Sequence, residues 1–203
     1  MDLSVVVPAF NEGKNLKKYI KIYFKFLDHK NINFEIIVVD DGSSDNTSVV
    51  AHELCRSENR MRLLVHPRNQ GKGAAVRTGL KASRGAVIAF IDADGATSIE
   101  HIDKVWPQLE SGFDVVIGSR NPKDAPGAQL LKSQAVWKKF LGRAGNKVIQ
   151  LITVKGINDT QCGFKAMRAE ACRKLLPLME VDRWMFDVEL LLLARSLGLK
   201  IAA

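Results

Sequence analysis

Cysteine is scarce in this chain. Its 203 residues include three, Cys55, Cys162 and Cys172, an odd number with no CxxC spacing, which excludes the dense, even set of a disulfide framework. All three are expected to be free thiols. Histidine is nearly as sparse: His29, His52, His66 and His101 are scattered with no HExxH or paired spacing, so the usual zinc patterns are absent. Each is expected at the surface or at a helix end. The longest uninterrupted apolar run is six residues, Ala86 to Ile91, whereas a membrane-spanning helix needs about 20. The first residues, Met1-Asp2-Leu3-Ser4, lead straight into strand-like sequence without the regions of a signal peptide. The chain is therefore expected to begin and remain in the cytoplasm. With 15 Gly and 6 Pro there is no low-complexity tract or linker, and no internal repeat. What remains has the composition of an ordinary folded domain, 46% hydrophobic. A chain of this length buries roughly 70% of the surface its unfolded form exposes, enough for a core without staples.

Positive charge is in excess, with 30 Lys and Arg against 22 Asp and Glu, a net of +8. Most of it sits in one place. Between Arg120 and Lys147 there are seven basic residues and one acid, Asp124, which is +6 of that total. In the same stretch Leu130, Leu131, Trp137, Phe140, Leu141, Ala144, Val148 and Ile152 recur at intervals of three and four, so an apolar stripe runs beside a basic one. Such a helix can lie on anionic lipid or bury its stripe in the core; the pattern alone allows both. Nucleic acid is not expected as a partner, because no basic and aromatic stacking pattern repeats.

Strands and helices alternate along the chain. Leu3 to Val7, Phe34 to Asp40, Met61 to Val65, Ala86 to Ile91 and Asp114 to Ser119 read as strands. Between them, Leu16, Ile20, Tyr23, Phe24 and Leu27 form one face of a helix, and helices are expected over Asp45 to Ser57, Gly73 to Ala82 and Ile99 to Leu109. Beyond about Ile152 only Asp187 to Leu197 has a clear helical pattern. The order implies an α/β fold with a mostly parallel sheet, and a continuous apolar strand such as Ala86 to Ile91 is buried on both faces.

Ligands of open α/β sheets bind outside the carboxyl ends of the strands. There the sequence places Pro8-Ala9-Phe10-Asn11-Glu12, Asp40-Asp41-Gly42-Ser43-Ser44-Asp45, Asp92-Ala93-Asp94-Gly95 and Gly118-Ser119-Arg120. Carboxylates gathered at one edge repel unless something positive joins them. Asp92 and Asp94 are two apart, and on an extended backbone both reach one side; hard oxygen ligands of this kind suit Mg²⁺ or Mn²⁺ with positions left open for phosphates. The competing reading is a strand end followed by an Asp-Gly turn. In the second loop one Asp or Ser is expected to cap the next helix, while Asp40 or Asp41 faces the ligand and accepts hydrogen bonds from a base or ribose. Gly71-Lys72-Gly73 is not a Walker A loop, since His66 stands where its first Gly belongs, and it fails as GxGxxG at Val76. It reads instead as a flexible turn whose backbone and Lys72 approach a phosphate. Trp184, Met185 and Phe186 suit either an acceptor mouth or the core. Asp187 and Glu189 do not share a helix face, so at most one of them is expected to reach the site.

Taken in order, Val6-Val7-Pro8-Ala9-Phe10-Asn11-Glu12, Val39 to Asp45, Asn69-Gln70-Gly71-Lys72-Gly73, Asp92-Ala93-Asp94 and Gly118-Ser119-Arg120 resemble glycosyltransferase family 2, inverting enzymes of the GT-A fold. Asn158 to Lys165 and Arg183 to Leu190 resemble its polyprenyl-phosphate branch, most closely the dolichyl-phosphate β-glucosyltransferases. The resemblance implies a Rossmann-like three-layer sandwich in a single domain, with a nucleotide-sugar half over about 1–120 and an acceptor half over about 121–203. It implies that Pro8, Phe10, Glu12 and Asp41 hold the nucleoside, that Lys72 lies near the donor, and that Asp92 and Asp94 bind Mg²⁺ or Mn²⁺ and the diphosphate. Asp159 matches an acid used in catalysis, and Arg120 and Arg143 match arginines that meet phosphate. The implied reaction moves a hexose, glucose from UDP-glucose, onto a polyprenyl or dolichyl phosphate at the cytoplasmic face of a membrane. Alternatives are a mannose transferase using GDP-mannose, a family 2 transferase with a saccharide acceptor, and a nucleotide-sugar binding module without turnover. Eukaryotic glucosyltransferases of this branch carry an N-terminal anchor and many prokaryotic members carry C-terminal spans. Neither occurs in these residues, and truncation at the C-terminus is expected because relatives continue into another strand.

Overall fold

The computed structural model describes residues 1–119 and 162–203. Among these the chain forms β1 (Leu3–Ala9), α1 (Leu16–His29), β2 (Phe34–Asp40), α2 (Thr47–Ser57), β3 (Met61–Val65), α3 (Lys72–Ala82), β4 (Val87–Ile91), α4 (Ile102–Glu110) entered through a 3₁₀ turn at Ile99–His101, and β5 (Val115–Ile117). After residue 161 follow β6 (Phe164–Arg168), α5 (Ala169–Leu175), α6 (Phe186–Ser196) and β7 (Ile201–Ala202).

The described strands make one seven-stranded sheet in the order β3-β2-β1-β4-β6-β5-β7. β1 pairs in parallel with β2 and β4, and β3 with β2. β6 runs antiparallel to both its neighbours, β4 and β5. The mostly parallel α/β sheet expected from the sequence is present, with one reversed strand inside it.

Strand alternation separates two cores. Leu3, Val5 and Val7 of β1 with Ile36 and Val38 of β2 face the five buried residues of α1, namely Leu16, Ile20, Tyr23, Phe24 and Leu27. Val6, Ile37 and Val39 face the other way, onto Ala75, Val76 and Leu80 of α3 and Phe186, Leu190 and Leu191 of α6. Successive residues of a strand point to opposite faces, so a strand apolar at every position needs helices on both sides. The result is three layers. Burial pushes the Cys172 thiol up to about 11, and Cys55 and Cys172 are free thiols as expected.

Two expectations fail. The segment after about Ile152 is more regular than its sequence suggests, since it supplies β6, α5 and β7. β6 escaped because its sequence, FKAMR, carries two basic residues in five and shows no apolar alternation. Gly71-Lys72-Gly73 is not a flexible turn either: Lys72 opens α3, and Gly71, at φ 107°, occupies the position before it. The basic stretch from Arg120 to Lys147, with Arg120 and Arg143 in it, and Asp159 lie outside the described residues. Among those described, no helix is long and apolar enough to cross a membrane.

Candidate active site

Parallel strands end on the same edge of the sheet, so the segments after β1, β2 and β4 meet there. They enclose a cavity of about 410 Å³ lined by Pro8, Ala9, Phe10, Glu12, Asp41, Asn69, Gly71, Lys72, Ala75, Asp92, Ala93, Asp94, Arg183 and Trp184. Seven residues singled out in the sequence, Pro8, Phe10, Glu12, Asp41, Lys72, Asp92 and Asp94, line this one cavity. Asn69 and Arg183 were assigned no role. Their only signal was their neighbourhood, the Asn69 to Gly73 segment and the aromatic run beginning at Trp184. Gly118 and Ser119, which follow β5, instead line a second cavity with His101, Pro107 and Phe164.

Asp92 leaves β4 at the centre of the site. Its N–H donates to the Gly163 carbonyl, and its own carbonyl accepts from the Tyr23 hydroxyl at 3.1 Å. Its Oδ1 is paired with the Lys72 ammonium, 2.5 Å from Nζ. Burial pushes the Asp92 carboxyl above its ordinary value; the Lys72 ammonium pulls it down, while Asp94 and Asp187 push it up. Burial and the charges of Asp94 and Asp92 also raise the Tyr23 hydroxyl. A negative field is thus concentrated at this edge, and the Lys72 ammonium offsets part of it.

Asp94 sits in a turn, not on extended backbone. Its Oδ1 accepts from the Ala96 N–H at 2.9 Å, and Gly95 follows at φ 70°. The Asp-Gly turn is real, and it still leaves both carboxylates on the cavity wall. Among the described residues no group of three or more His, Cys, Asp or Glu side chains converges as a metal cage. Two carboxylates on one cavity, close enough that the charge of Asp94 raises the Asp92 carboxyl, fit a Mg²⁺-like ion that draws its remaining ligands from substrate and water.

Asp41 also lines the cavity and is buried. Oδ1 accepts from the Gln70 N–H at 2.9 Å and faces His66 Nδ1 at 2.7 Å; Oδ2 accepts from the Gly71 N–H at 2.8 Å. A carboxylate offers about four lone-pair positions, so one acceptor position remains. His66, expected at the surface, is buried between Asp41 and Thr78, whose hydroxyl lies 3.0 Å from Nε2. The N-cap of α2 is Asn46, which makes no side-chain cap bond; the expected capping carboxylate is Asp45 just before it, which accepts from the Thr47 N–H at 2.9 Å, from the Thr47 hydroxyl, and from the Gly13 N–H at 3.1 Å.

Lys72 begins α3, whose first residues line the cavity, so the positive end of the helix dipole faces the same space. The aromatic run divides. Trp184, 73% exposed, and Phe10, 46% exposed, both line the cavity, whereas Phe186 is buried in the core. Asp187 turns inward to Lys165, with 2.5 Å between Oδ1 and Nζ, and Glu189 accepts from the N–H groups of Glu180 and Val181. Neither lines the cavity.

Comparison with known proteins places the chain in context. It is 39% identical over 207 residues to a dolichyl-phosphate beta-glucosyltransferase of Trichomonas vaginalis, covering 97% of this chain and 60% of that protein. It is 36% identical over 216 residues to the dolichyl-phosphate beta-glucosyltransferase of Mus musculus, covering 98% and 65%. The chain therefore spans less than two thirds of the length of these relatives. Among solved structures, glucosyl-3-phosphoglycerate synthase from Mycobacterium tuberculosis, crystallised with Mg²⁺ and uridine diphosphate, superposes with a TM-score of 0.70 at 21% identity, over 99% of this chain and 68% of that one. The fold is that of the GT-A glycosyltransferases. The sequence model of the glycosyl transferase family 2 matches residues 4–176, a span that holds every described residue assigned to the site from sequence, and the chain belongs to that family.

Proposed function

We propose that this chain carries the donor-binding and catalytic part of a hexosyltransferase that moves glucose from UDP-glucose onto the phosphate of a polyprenol of the dolichol type. The observation that carries the reading is the convergence of Lys72, Asp92, Asp94 and Asp41 with the exposed ring of Phe10 on one cavity of nucleotide-sugar size. The names of the relatives supply the sugar and the lipid.

Phe10 offers a face for the base, beside Pro8 and Glu12, and the free acceptor position of Asp41 takes a base or ribose donor. Asp92 and Asp94 hold the divalent ion. Mg²⁺ or Mn²⁺ bound there supplies Lewis-acid stabilisation of the negative charge that builds on the departing diphosphate. Lys72 and the N-terminus of α3 add positive potential on the same side. A lipid phosphate is ionised at neutral pH, its second pKa being about 6, so it attacks without a strong general base. Asp159 then positions the acceptor, and Arg120 and Arg143 contribute charge-assisted hydrogen bonds to phosphate. The enzyme works peripherally at the cytoplasmic face of a membrane, held by the basic and apolar stripe between Arg120 and Ile152.

The test is transfer from radiolabelled UDP-glucose and GDP-mannose to a short polyprenyl phosphate, with Mg²⁺, Mn²⁺ or EDTA. Labelled lipid from UDP-glucose, abolished by EDTA and by Asp94→Ala, is the expected result. Transfer to free sugars with none to the lipid would overturn the acceptor, and full activity of the Asp94→Ala protein would overturn the site.

A further inference from the structure

Resting on the metal-site reading above, we infer that the Lys72 ammonium is the resident counter-ion of the ion-binding carboxylate. It leaves Asp92 when a divalent cation takes that oxygen and transfers to the donor diphosphate. Lys72 is then a positioning residue that couples the loading of ion and donor.

Three features carry this. First, the ammonium stands where an ion ligand must be free: Lys72 Nζ is 2.5 Å from Asp92 Oδ1. Two cations on one oxygen repel, so ammonium and metal ion exclude each other there. Second, only the side chain can move. A Cβ on Gly71 would lie 2.4 Å from the Asp182 carbonyl oxygen, and one on Gly73 2.3 Å from that of Val181. The Ala74 N–H donates to the Asp182 carbonyl at 3.0 Å, and Arg77 pairs with the Asp182 carboxylate. The first turn of α3 is thereby fastened against residues 181–182, while the Lys72 stem keeps four rotatable bonds. Third, aromatic rings flank the ammonium where it stands beside the cavity. Nζ lies 5.7 Å from the Trp184 ring centroid and 5.8 Å from that of Phe186, both within cation–π range. Beside those rings the ammonium faces the cavity, where a diphosphate completes its coordination.

Exchange of this kind has a consequence that a plain phosphate contact lacks. With Lys72 in place, Asp92 is neutralised and binds a divalent ion poorly until the donor arrives to take the lysine. Without Lys72 the ion alone should bind better, although the ion and nucleotide together bind worse.

The experiment measures Mn²⁺ binding by the electron paramagnetic resonance of free Mn²⁺, for the parent, Lys72→Met and Lys72→Arg proteins, each with and without UDP. Coupling within one charge network predicts that Lys72→Met binds Mn²⁺ alone about tenfold more tightly than the parent. Lys72→Arg should stay near the parent, and UDP should raise Mn²⁺ affinity less in Lys72→Met. Equal or weaker binding of Mn²⁺ alone by Lys72→Met overturns the exchange. A parent protein that binds no Mn²⁺ even with UDP would instead overturn the metal site itself. Should Lys72→Met fail to fold without the ion, Lys72→Gln replaces it. Mn²⁺ must then raise its melting temperature more than that of the parent, and an equal or smaller rise counts against the proposal.

Discussion

Gly163 lies so close to the Asp92 carboxylate that a Cβ built on it would stand 2.1 Å from Oδ2 and 2.6 Å from Cγ. The glycine cannot retreat, because its carbonyl accepts the Asp92 N–H at 3.1 Å. Asp92 is thus held between a backbone without a side chain on one flank and Lys72 on the other. Gly163→Ala is expected to push the carboxylate out of place, costing about 1–3 kcal/mol of stability as overpacking does and abolishing Mn²⁺ binding with UDP. Urea denaturation and Mn²⁺ titration check the two effects separately.

Lys165 and Asp187 form a buried ion pair joining β6 to α6, and Lys165 Nζ also donates to the Cys162 carbonyl at 3.1 Å. Removing one partner leaves the other charge buried and unpaired, which typically costs about 3–5 kcal/mol. Lys165→Met alone and Asp187→Leu alone should each approach that loss in chemical denaturation. The double variant should recover much of it, because it buries no lone charge.

Asp41 organises the loop that carries Gln70 and Gly71. Asp41→Asn keeps the shape but turns an N–H₂ group toward backbone donors or toward His66, leaving at least one buried group unsatisfied, at about 1–3 kcal/mol. Because that loop forms part of the cavity wall, UDP affinity measured by calorimetry should fall along with stability.

Asp45 carries a pH dependence whose sign is fixed. Burial acts to raise its carboxyl, but hydrogen bonds from Thr47 and Gly13 outweigh this and hold it below its ordinary 3.8. A depressed carboxyl contributes stability that is present above the unfolded value and lost as pH falls through the folded one. Asp45→Asn should therefore unfold more readily than the parent at pH 7, by less than a typical cap deletion of about 1 kcal/mol since Asn also caps. The gap should narrow as the solution is acidified through the lowered Asp45 value, as urea midpoints at neutral and acid pH would show.

The sequence made the donor edge legible because local patterns coincide with tertiary roles there. β2 and β3 occupy the expected residues, Phe34 to Asp40 and Met61 to Val65, and all five residues assigned to the inner face of α1 are buried. Loops after parallel strands must gather at one edge, so Phe10, Asp41, Asp92 and Asp94 could be placed together before any coordinates. What stayed hidden depends on partners distant in the chain. Lys165 marks β6 as polar until Asp187, 22 residues on, is seen to neutralise it. His66 looks like a surface residue until Asp41 and Thr78 enclose it. The fixed start of α3 rests on carbonyls at Val181 and Asp182, a close approach of two backbones that leaves only glycine as its trace.

The reversed strand bears on how the protein could be divided. β6, from residues 164–168, is seated between β4 and β5, so a fragment ending at residue 119 would leave β4 at the sheet's edge with an unanswered amide row and β5 without a strand to pair. Such an edge is a template for self-association, and it is also a receptacle. A peptide of residues 162–203 would bring the missing strand together with Arg183 and Trp184, so complementation of two pieces would restore the sheet and the nucleotide wall in a single event.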